Sequence, residues 1–243
     1  MTLCPATFYR AHLPESDMNT AARDLATQTY PRVAVDAVLF TIADKELKTL
    51  LVKIKKGPFA GRWAFPGGLV HVGESLDEAA RRELYEKTGV QDLYLEQLYT
   101  FGDARRDPTA HTVAVAYFAL VPHLAHELRS GEKYADVGWF PVRSLPPLAY
   151  DHNEIAAYAL QRLQAKLGYT NIVYSLLPRE FTLAELQAIY EVILHEKLDR
   201  RNFRRKILAL GLLKPLQKTR RGAHRPATLY TFTRRSPMNV EVL

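Results

Sequence analysis

The chain has 243 residues, of which 47% are hydrophobic, and a formal net charge of +7. This size allows a well-buried core and two modest domains. No apolar run approaches the roughly 18 residues that cross a bilayer, and a single cysteine, Cys4, excludes an intrachain disulfide and a multi-cysteine zinc cluster. Residues 1–31 lack a secretory signal pattern and are predicted to be a mobile leader. We therefore expect a cytoplasmic protein without a membrane segment.

The middle of the chain alternates between strand and helix patterns. A hairpin is predicted over residues 33–42 and 47–55, with a turn around residues 43–46. Further strands are predicted over residues 93–101, 112–121 and 137–141, and a helix over residues 152–166. A loop with Arg105, Arg106 and Asp107 joins two of these strands. We place this domain at residues 32–168, a connection at 169–178 and a second domain at 179–243.

A distinctive helix is predicted between the hairpin and the third strand. Ser75 and Glu78 form a capping box, which predicts a helix over residues 76–88 that Gly89 ends. Positions 83, 86 and 87 share one face, because residues three and four apart are neighbours on a helix. A charge-laced surface helix explains the alternating acids and bases. It does not explain the flanking FPGG of residues 65–68, or the spacing between Gly68 and Glu74.

Residues 68–90 match the Nudix signature GX5EX7REUXEEXGU at every fixed position except one. The segment therefore resembles Nudix hydrolases, which implies an α/β/α sandwich and a diphosphate gripped through Mg2+. Lys87 stands where the last of three carboxylates belongs. Mg2+ requires oxygen ligands, so Lys87 removes one and is able to pair with Glu83 instead. We expect no catalytic residue, with Glu83 and Glu86 as remnants of the metal site and Mg2+ used only if pyrophosphatase activity remains. Predicted ligand-binding residues are Arg62, Gly68, Glu74, Arg82, Lys87 and Arg106.

The positive charge is concentrated near the end of the sequence. Between residues 197 and 235, thirteen Lys and Arg residues stand against one acid, Asp199, so this region carries +12 and the remainder −5. Such a basic module is typical of a domain that meets a nucleic-acid backbone. The alternative interpretation is that these charges lie on an ordinary solvated surface and bind nothing.

The periodicity of the same region indicates a winged helix-turn-helix. Thr182 and Glu185 form a second capping box, and Asp199 caps a second helix, RRNFRRKILAL, that ends at Gly211. Phe203, Ile207 and Leu210 are predicted to face inward. Strands at residues 212–216 and 228–232 flank a basic tip and form the wing. We expect DNA contacts from the outer face of the second helix and from the wing: Arg200, Arg201, Asn202, Arg204, Arg205, Lys218, Arg220, Arg221 and Arg225.

Residues 33–233 as a whole resemble the Nudix-related transcriptional regulators of the NrtR type. The resemblance is carried by PFAGRWAFPGG at residues 58–68, LAYDHNEI at 148–155, and FTLAELQAIYEVIL followed by NFRRKIL. It implies a homodimeric repressor on a palindromic double-stranded operator near NAD metabolism genes. ADP-ribose or a related NAD metabolite would bind the Nudix cleft and release the DNA, and no cofactor would be required for DNA binding. Related regulators respond to sugar metabolites, so the effector stays open.

Two further interpretations remain at this point. A working Nudix pyrophosphatase, tethered to nucleic acid by its basic region, is the enzymatic alternative, and Lys87 argues against it. An inert interaction module would leave both the altered Nudix box and the basic helix unexplained.

Overall fold

The computed structural model describes residues 30–89, 94–122, 134–220 and 226–239. The predicted leader, apart from its last two residues, lies outside these ranges, as do Arg221 and Arg225 at the predicted tip of the wing. Within the described ranges, no helix is both long and apolar enough to span a membrane. The elements are β1 (Arg32–Ala43), β2 (Glu46–Ile54), β3 (Trp63–Ala64), β4 (Gly67–Leu69), α1 (Leu76–Thr88), β5 (Glu96–Phe101), β6 (Thr112–Leu120), β7 (Tyr134–Pro141), α2 (His152–Tyr169), β8 (Phe181–Thr182), α3 (Leu183–Leu194), α4 (Arg200–Ala209), β9 (Leu213–Arg220) and β10 (Ala227–Phe232).

The first seven strands form one mixed sheet around β1. This strand pairs antiparallel with β2 and β4 and parallel with β6, while β3 and β7 pair with β2 and β5 with β6. Alternate residues of β1 point to opposite faces. Val35 packs with Ala79 and Ala80 of α1, whereas Val38 and Phe40 belong to the cluster that contains α2. The predicted α/β/α sandwich is confirmed.

The second fold unit is a winged helix. The capping box at the start of α3 is present, with Thr182 Oγ1 accepting the Glu185 N–H and Glu185 accepting the Thr182 N–H. His195 ends α3 in the left-handed conformation (φ 59°), and the Asp199 side chain caps α4 by accepting the Asn202 N–H. Strands β8, β10 and β9 form a three-stranded sheet beside these helices. The predicted helix-turn-helix with a β wing is therefore confirmed.

Helix α2 joins the two fold units through a common core. Its buried residues Ile155, Leu163 and Leu167 belong to one hydrophobic cluster with Ile193 of α3 and Phe203 of α4. The side-chain amide of Gln164 also donates to the Ile193 carbonyl at 3.0 Å. The sandwich and the winged helix thus meet across a packed interface.

The connection after α2 is ordered and buried. Helix α2 extends to Tyr169, three residues beyond its predicted end, and a 3-10 turn follows at Ile172–Ser175 with its first three residues buried. Residues 233–239, here called the return segment, run back along this connection. Arg235 donates to the carbonyls of Tyr174 (2.6 Å), Leu177 (2.7 Å) and Pro178 (3.2 Å). The connection is therefore held along its length by hydrogen bonds.

Several strands differ from the sequence prediction. The short strands β3, β4 and β8 were not predicted, and β9 continues to Arg220, four residues beyond the predicted strand end at residue 216. Most of β9 beyond Leu213 is exposed, so this part of the strand lacks the alternation of buried and polar residues that marks a strand in sequence. Strands of two or three residues are too short to show any period.

Candidate functional site

A cleft of about 620 Å3 opens at the end of the large sheet where β1 and β6 begin, beside the start of α2. It combines apolar and charged walls, a composition typical of small-molecule sites. Its lining residues are Arg32, Ala34, Asp36, Ile54, Lys55, Lys56, Ala64, Phe65, Gly67, Gly68, Leu69, Arg106, Asp107, Thr109, Thr112, Tyr150 and His152.

A buried ion pair lies at the cleft wall. Arg106 donates from Nε to Asp151 Oδ2 (2.8 Å) and from Nη2 to Asp151 Oδ1 (2.6 Å). This is the bidentate geometry in which a guanidinium binds a carboxylate. Nη2 also donates to Asp36 Oδ2 at 3.4 Å. Burial lowers the pKa of Arg106, but the hydrogen bond to Asp151 and the charges of both carboxylates outweigh it and leave that pKa above its ordinary value.

His152 connects this pair to the sheet. The Phe65 N–H donates to His152 Nδ1 at 2.9 Å, so Nδ1 is an acceptor and the ring proton of the neutral imidazole resides on Nε2. Nε2 lies 3.5 Å from Asp36 Oδ2. The backbone of the FPGG segment, the first strand and the start of α2 are thus joined through one side chain.

Aromatic side chains form another part of the site. The Phe59 and Tyr150 rings lie 4.5 Å apart between centroids, and Phe65 stacks with His152 at 5.5 Å. Tyr150 has a φ of 53°, a left-handed conformation that a bulky residue rarely adopts. Such strain is common at ligand-binding sites, where surrounding contacts hold it in place.

The loop before α1 is fastened by Arg82. This side chain donates to both carboxylate oxygens of Glu74 (2.7 and 2.9 Å) and to the Leu69 carbonyl (3.1 Å). The hydrogen bond from Arg82, followed by the one from the His71 N–H, lowers the pKa of Glu74 to about 2. Glu74 and Arg82 therefore hold the shape of the loop, and neither lines the cleft.

The described side chains of the Nudix box offer two carboxylates, Glu83 and Glu86. Arg82 Nη1 donates to Glu83 Oε1 at 2.7 Å and lies 3.8 Å from Glu86 Oε2, so one guanidinium lies close to both carboxylates. Mg2+ needs near-octahedral oxygen ligands. No group of three or more His, Cys, Asp or Glu residues is placed to hold a metal in the described part of the chain. The backbone of Lys87 lies at the end of α1, and its side chain is outside the description.

The structure brings two of the predicted ligand residues, Gly68 and Arg106, into the cleft lining. Arg62 is exposed, with its guanidinium 5.9 Å from the Phe59 ring centre, and does not line the cleft. The sequence reasoning missed Asp36, Tyr150, Asp151 and His152. A signal for Asp36 was present, since it is an acid in a run of apolar strand residues.

The outer face of α4 is strongly basic. Phe203 and Ile207 are buried, whereas Arg200, Arg201, Arg204 and Arg205 are all exposed, as predicted. Arg205 donates to Asn202 Oδ1 at 3.1 Å, which aligns two candidate base-reading side chains. Arg200 and Arg204 also line a groove of about 390 Å3 with Thr228 and Tyr230 of the wing strand.

Two of the wing cations predicted to contact DNA form ion pairs within the winged helix. Lys218 pairs with Glu180 at 2.6 Å, and Arg220 pairs with Glu185 near the start of α3. Their side chains are 63% and 46% exposed, so both remain accessible to a phosphate. Arg235 was counted in the basic region, but it is bound to the carbonyls of the connection.

Comparison with known proteins assigns both parts of the chain. The NUDIX domain family matches residues 30–163, and the NrtR DNA-binding winged helix domain family matches residues 173–232. An "ADPR responsive transcriptional repressor NtrR" of Acinetobacter baylyi is 37% identical over 206 residues, 83% of this chain and 82% of the relative.

Two solved structures are similar as well. Shewanella oneidensis NrtR, complexed with a 27mer DNA, has a TM-score of 0.74 and 38% identity and covers 83% of this chain and 93% of that one. The NUDIX domain of the same protein, complexed with ADP ribose, has a TM-score of 0.56 and 37% identity and covers 62% and 99%. The chain therefore belongs to the NrtR family of Nudix-related transcriptional regulators.

Proposed function

We propose that this protein is a transcriptional repressor that binds operator DNA through α4 and the wing and releases it when ADP-ribose fills the Nudix cleft. The observation that carries the proposal is the packing of α2 between a cation-lined cleft and an exposed basic helix. Relatives described as an ADPR-responsive repressor and as complexes with DNA and ADP ribose support it.

The chemistry of the cleft suits a nucleoside diphosphate. Arg32, Lys55, Lys56 and Arg106 place four cationic side chains in its lining, while Phe65 and Tyr150 offer aromatic surfaces. Cations recognise phosphate groups through charge-assisted hydrogen bonds. Gly68 and Arg106, the two predicted ligand residues that line this cleft, are proposed to contact the effector. A related NAD metabolite or a sugar metabolite is the alternative ligand.

The DNA-bound form is proposed to be a cytoplasmic homodimer on a palindromic operator near NAD metabolism genes. A twofold dimer presents its recognition helices about one helical turn apart, which matches two half-sites. DNA binding itself uses Arg200, Arg201, Asn202, Arg204, Arg205, Lys218, Arg220, Arg221 and Arg225 and needs no cofactor.

The test is a pair of linked titrations. An operator from the region upstream of NAD metabolism genes is titrated with and without ADP-ribose, and ADP-ribose is titrated with and without operator. Typical coupling of ~1–3 kcal/mol would weaken operator binding roughly 5- to 150-fold, and operator must weaken ADP-ribose binding by the same factor. Equal ADP-ribose affinity in both calorimetric titrations would exclude this molecule as the effector and leave another nucleoside diphosphate or a sugar metabolite as the candidate.

Hydrolysis is expected to be negligible in the parent protein. Lys87→Glu restores the third carboxylate of the box and is expected to raise Mg2+-dependent hydrolysis of ADP-ribose by about tenfold or more, which requires only ~1.4 kcal/mol of transition-state stabilisation. Product formation with and without Mg2+ measures this effect. Adding Glu83→Gln to the Lys87→Glu variant should remove the gain. Robust turnover by the parent would instead favour the pyrophosphatase interpretation.

A further inference from the structure

We propose that Asp151 and the diphosphate of the effector compete for Arg106, and that this exchange of partners releases the start of α2 and thereby weakens DNA binding. The inference rests on the proposed function and assigns its regulation to one ion pair. Arg106 and Asp151 are 45 residues apart in sequence, and neither belongs to the Nudix signature.

The geometry favours competition over simultaneous binding. Asp151 takes both Nε and Nη2 of Arg106, the edge of the guanidinium that also suits two oxygens of a phosphate. The Arg106 side chain is only 4% exposed, yet the residue lines the cleft. A diphosphate beside Arg106 would also lie beside the carboxylates of Asp36 and Asp151. Like charges repel strongly in a poorly solvated site, so the incoming anion displaces Asp151.

The start of α2 lacks a side-chain cap. Asp151 is the N-cap residue of α2, and its carboxylate, which is paired with Arg106, makes no capping hydrogen bond. An aspartate at this position normally accepts a helix N–H and stabilises the helix. The preceding residue, Tyr150, has a φ of 53°. Release of Asp151 would allow the missing cap to form and the strained residue to relax, which favours the effector-bound state.

The same helix reaches the DNA-binding unit. Helix α2 has 18 residues, about 27 Å at 1.5 Å per residue. Its far half packs in the cluster that includes Ile193 and Phe203, and Gln164 donates to the Ile193 carbonyl. Packed helices shift as rigid bodies because a close-packed interior deforms little. A movement at Asp151 is therefore transmitted to α3 and to the orientation of α4.

The test compares Asp151→Asn with the matched control Glu154→Gln. Asparagine caps a helix as well as aspartate does but cannot form the ion pair. Glu154 is exposed in the first turn of the same helix, so its replacement removes the same charge without touching Arg106. Each full-length variant is titrated with operator and with ADP-ribose, separately and together.

Asp151→Asn is expected to resemble the effector-bound state. Its operator affinity without ADP-ribose should fall at least fivefold, its ADP-ribose affinity should rise, and the effect of ADP-ribose on operator binding should shrink below about twofold, against the 5- to 150-fold of the parent. Glu154→Gln should retain the parent's coupling. Parent-like coupling in Asp151→Asn, or weakened ADP-ribose binding, would overturn the exchange.

Two measurements keep the outcome interpretable. Thermal unfolding establishes that each variant is folded at the titration temperature. If Asp151→Asn does not fold, Asp151→Ser replaces it, since serine also caps helices and has no charge. A parent protein that binds neither operator nor ADP-ribose would contradict the proposed function itself. A parent that shows coupling, with Asp151 variants that show the same coupling, would contradict only the exchange.

Discussion

Replacing both Arg204 and Arg205 with alanine is expected to abolish specific operator binding in a gel shift. Both side chains lie on the exposed face of α4, opposite the buried Phe203 and Ile207. Specific contacts of this kind contribute about 1–3 kcal/mol each, so the pair accounts for ~2–6 kcal/mol, or roughly a 30-fold to 10⁴-fold loss of affinity. The salt dependence of the remaining binding should also weaken, because fewer counterions are released.

The fold should survive this change, since alanine is the best helix former and the buried face is untouched. The control is Arg105→Ala with Arg143→Ala, which removes two exposed positive charges from the Nudix domain. That variant has the same net charge and should bind the operator as the parent does. Parent-like binding by the Arg204 and Arg205 variant would mean that α4 is not the recognition helix.

Gly67→Ala is expected to destabilise the protein more than any other single added methyl in the cleft lining. A Cβ atom at Gly67 would lie 2.1 Å from Asp36 Oδ1 and 2.4 Å from the Val35 carbonyl oxygen. The carbonyl belongs to the central strand and cannot move without disturbing the sheet. Overpacking costs ~1–3 kcal/mol and occasionally more, and we expect the upper end of this range. A loss of about 3 kcal/mol lowers the melting temperature by roughly 6–12 °C in a domain of 150–250 residues.

Circular dichroism melts of Gly67→Ala and Gly168→Ala make the comparison. Gly168 lies in α2 with no atom within 4 Å of the position of its added Cβ. Alanine there should stabilise the helix by up to about 1 kcal/mol. Unchanged melting of Gly67→Ala would show that β4 moves away from β1 without cost. The Gly67→Ala variant is also expected to lose ADP-ribose binding, because Asp36 would be pushed toward Arg106 and His152.

Local features of the chain were predictable from sequence. The two capping boxes place Ser75 next to Glu78 and Thr182 next to Glu185, and a helix start depends on residues only three apart. The bounds of α1 and the basic face of α4 follow from the same short-range rules. The Nudix and winged-helix folds were predictable because their motifs lie within single helices and the loops beside them.

The centre of the cleft was not predictable in the same way. Phe65 and His152, which share a hydrogen bond, are 87 residues apart, and Arg106 lies 70 residues from Asp36. Only the register of the sheet and the docking of α2 bring them together. The ion pairs of Lys218 and Arg220 with acids 38 and 35 residues away were not predictable for the same reason. Spacing along a chain carries no information about such partners.

The return segment makes the DNA-binding unit poorly portable. A fragment cut at the ends of the winged helix, before residue 179 and after Phe232, would leave Arg235 and its three carbonyl acceptors behind. It would also remove the α2 residues Leu163 and Leu167 from the hydrophobic cluster that they share with Ile193. A chimera that joins this winged helix to another sensor therefore has to include α2, the connection and residues 233–239. Evolutionary exchange of the effector-binding domain would face the same requirement. The effector-binding domain and the DNA-binding domain are therefore expected to evolve together.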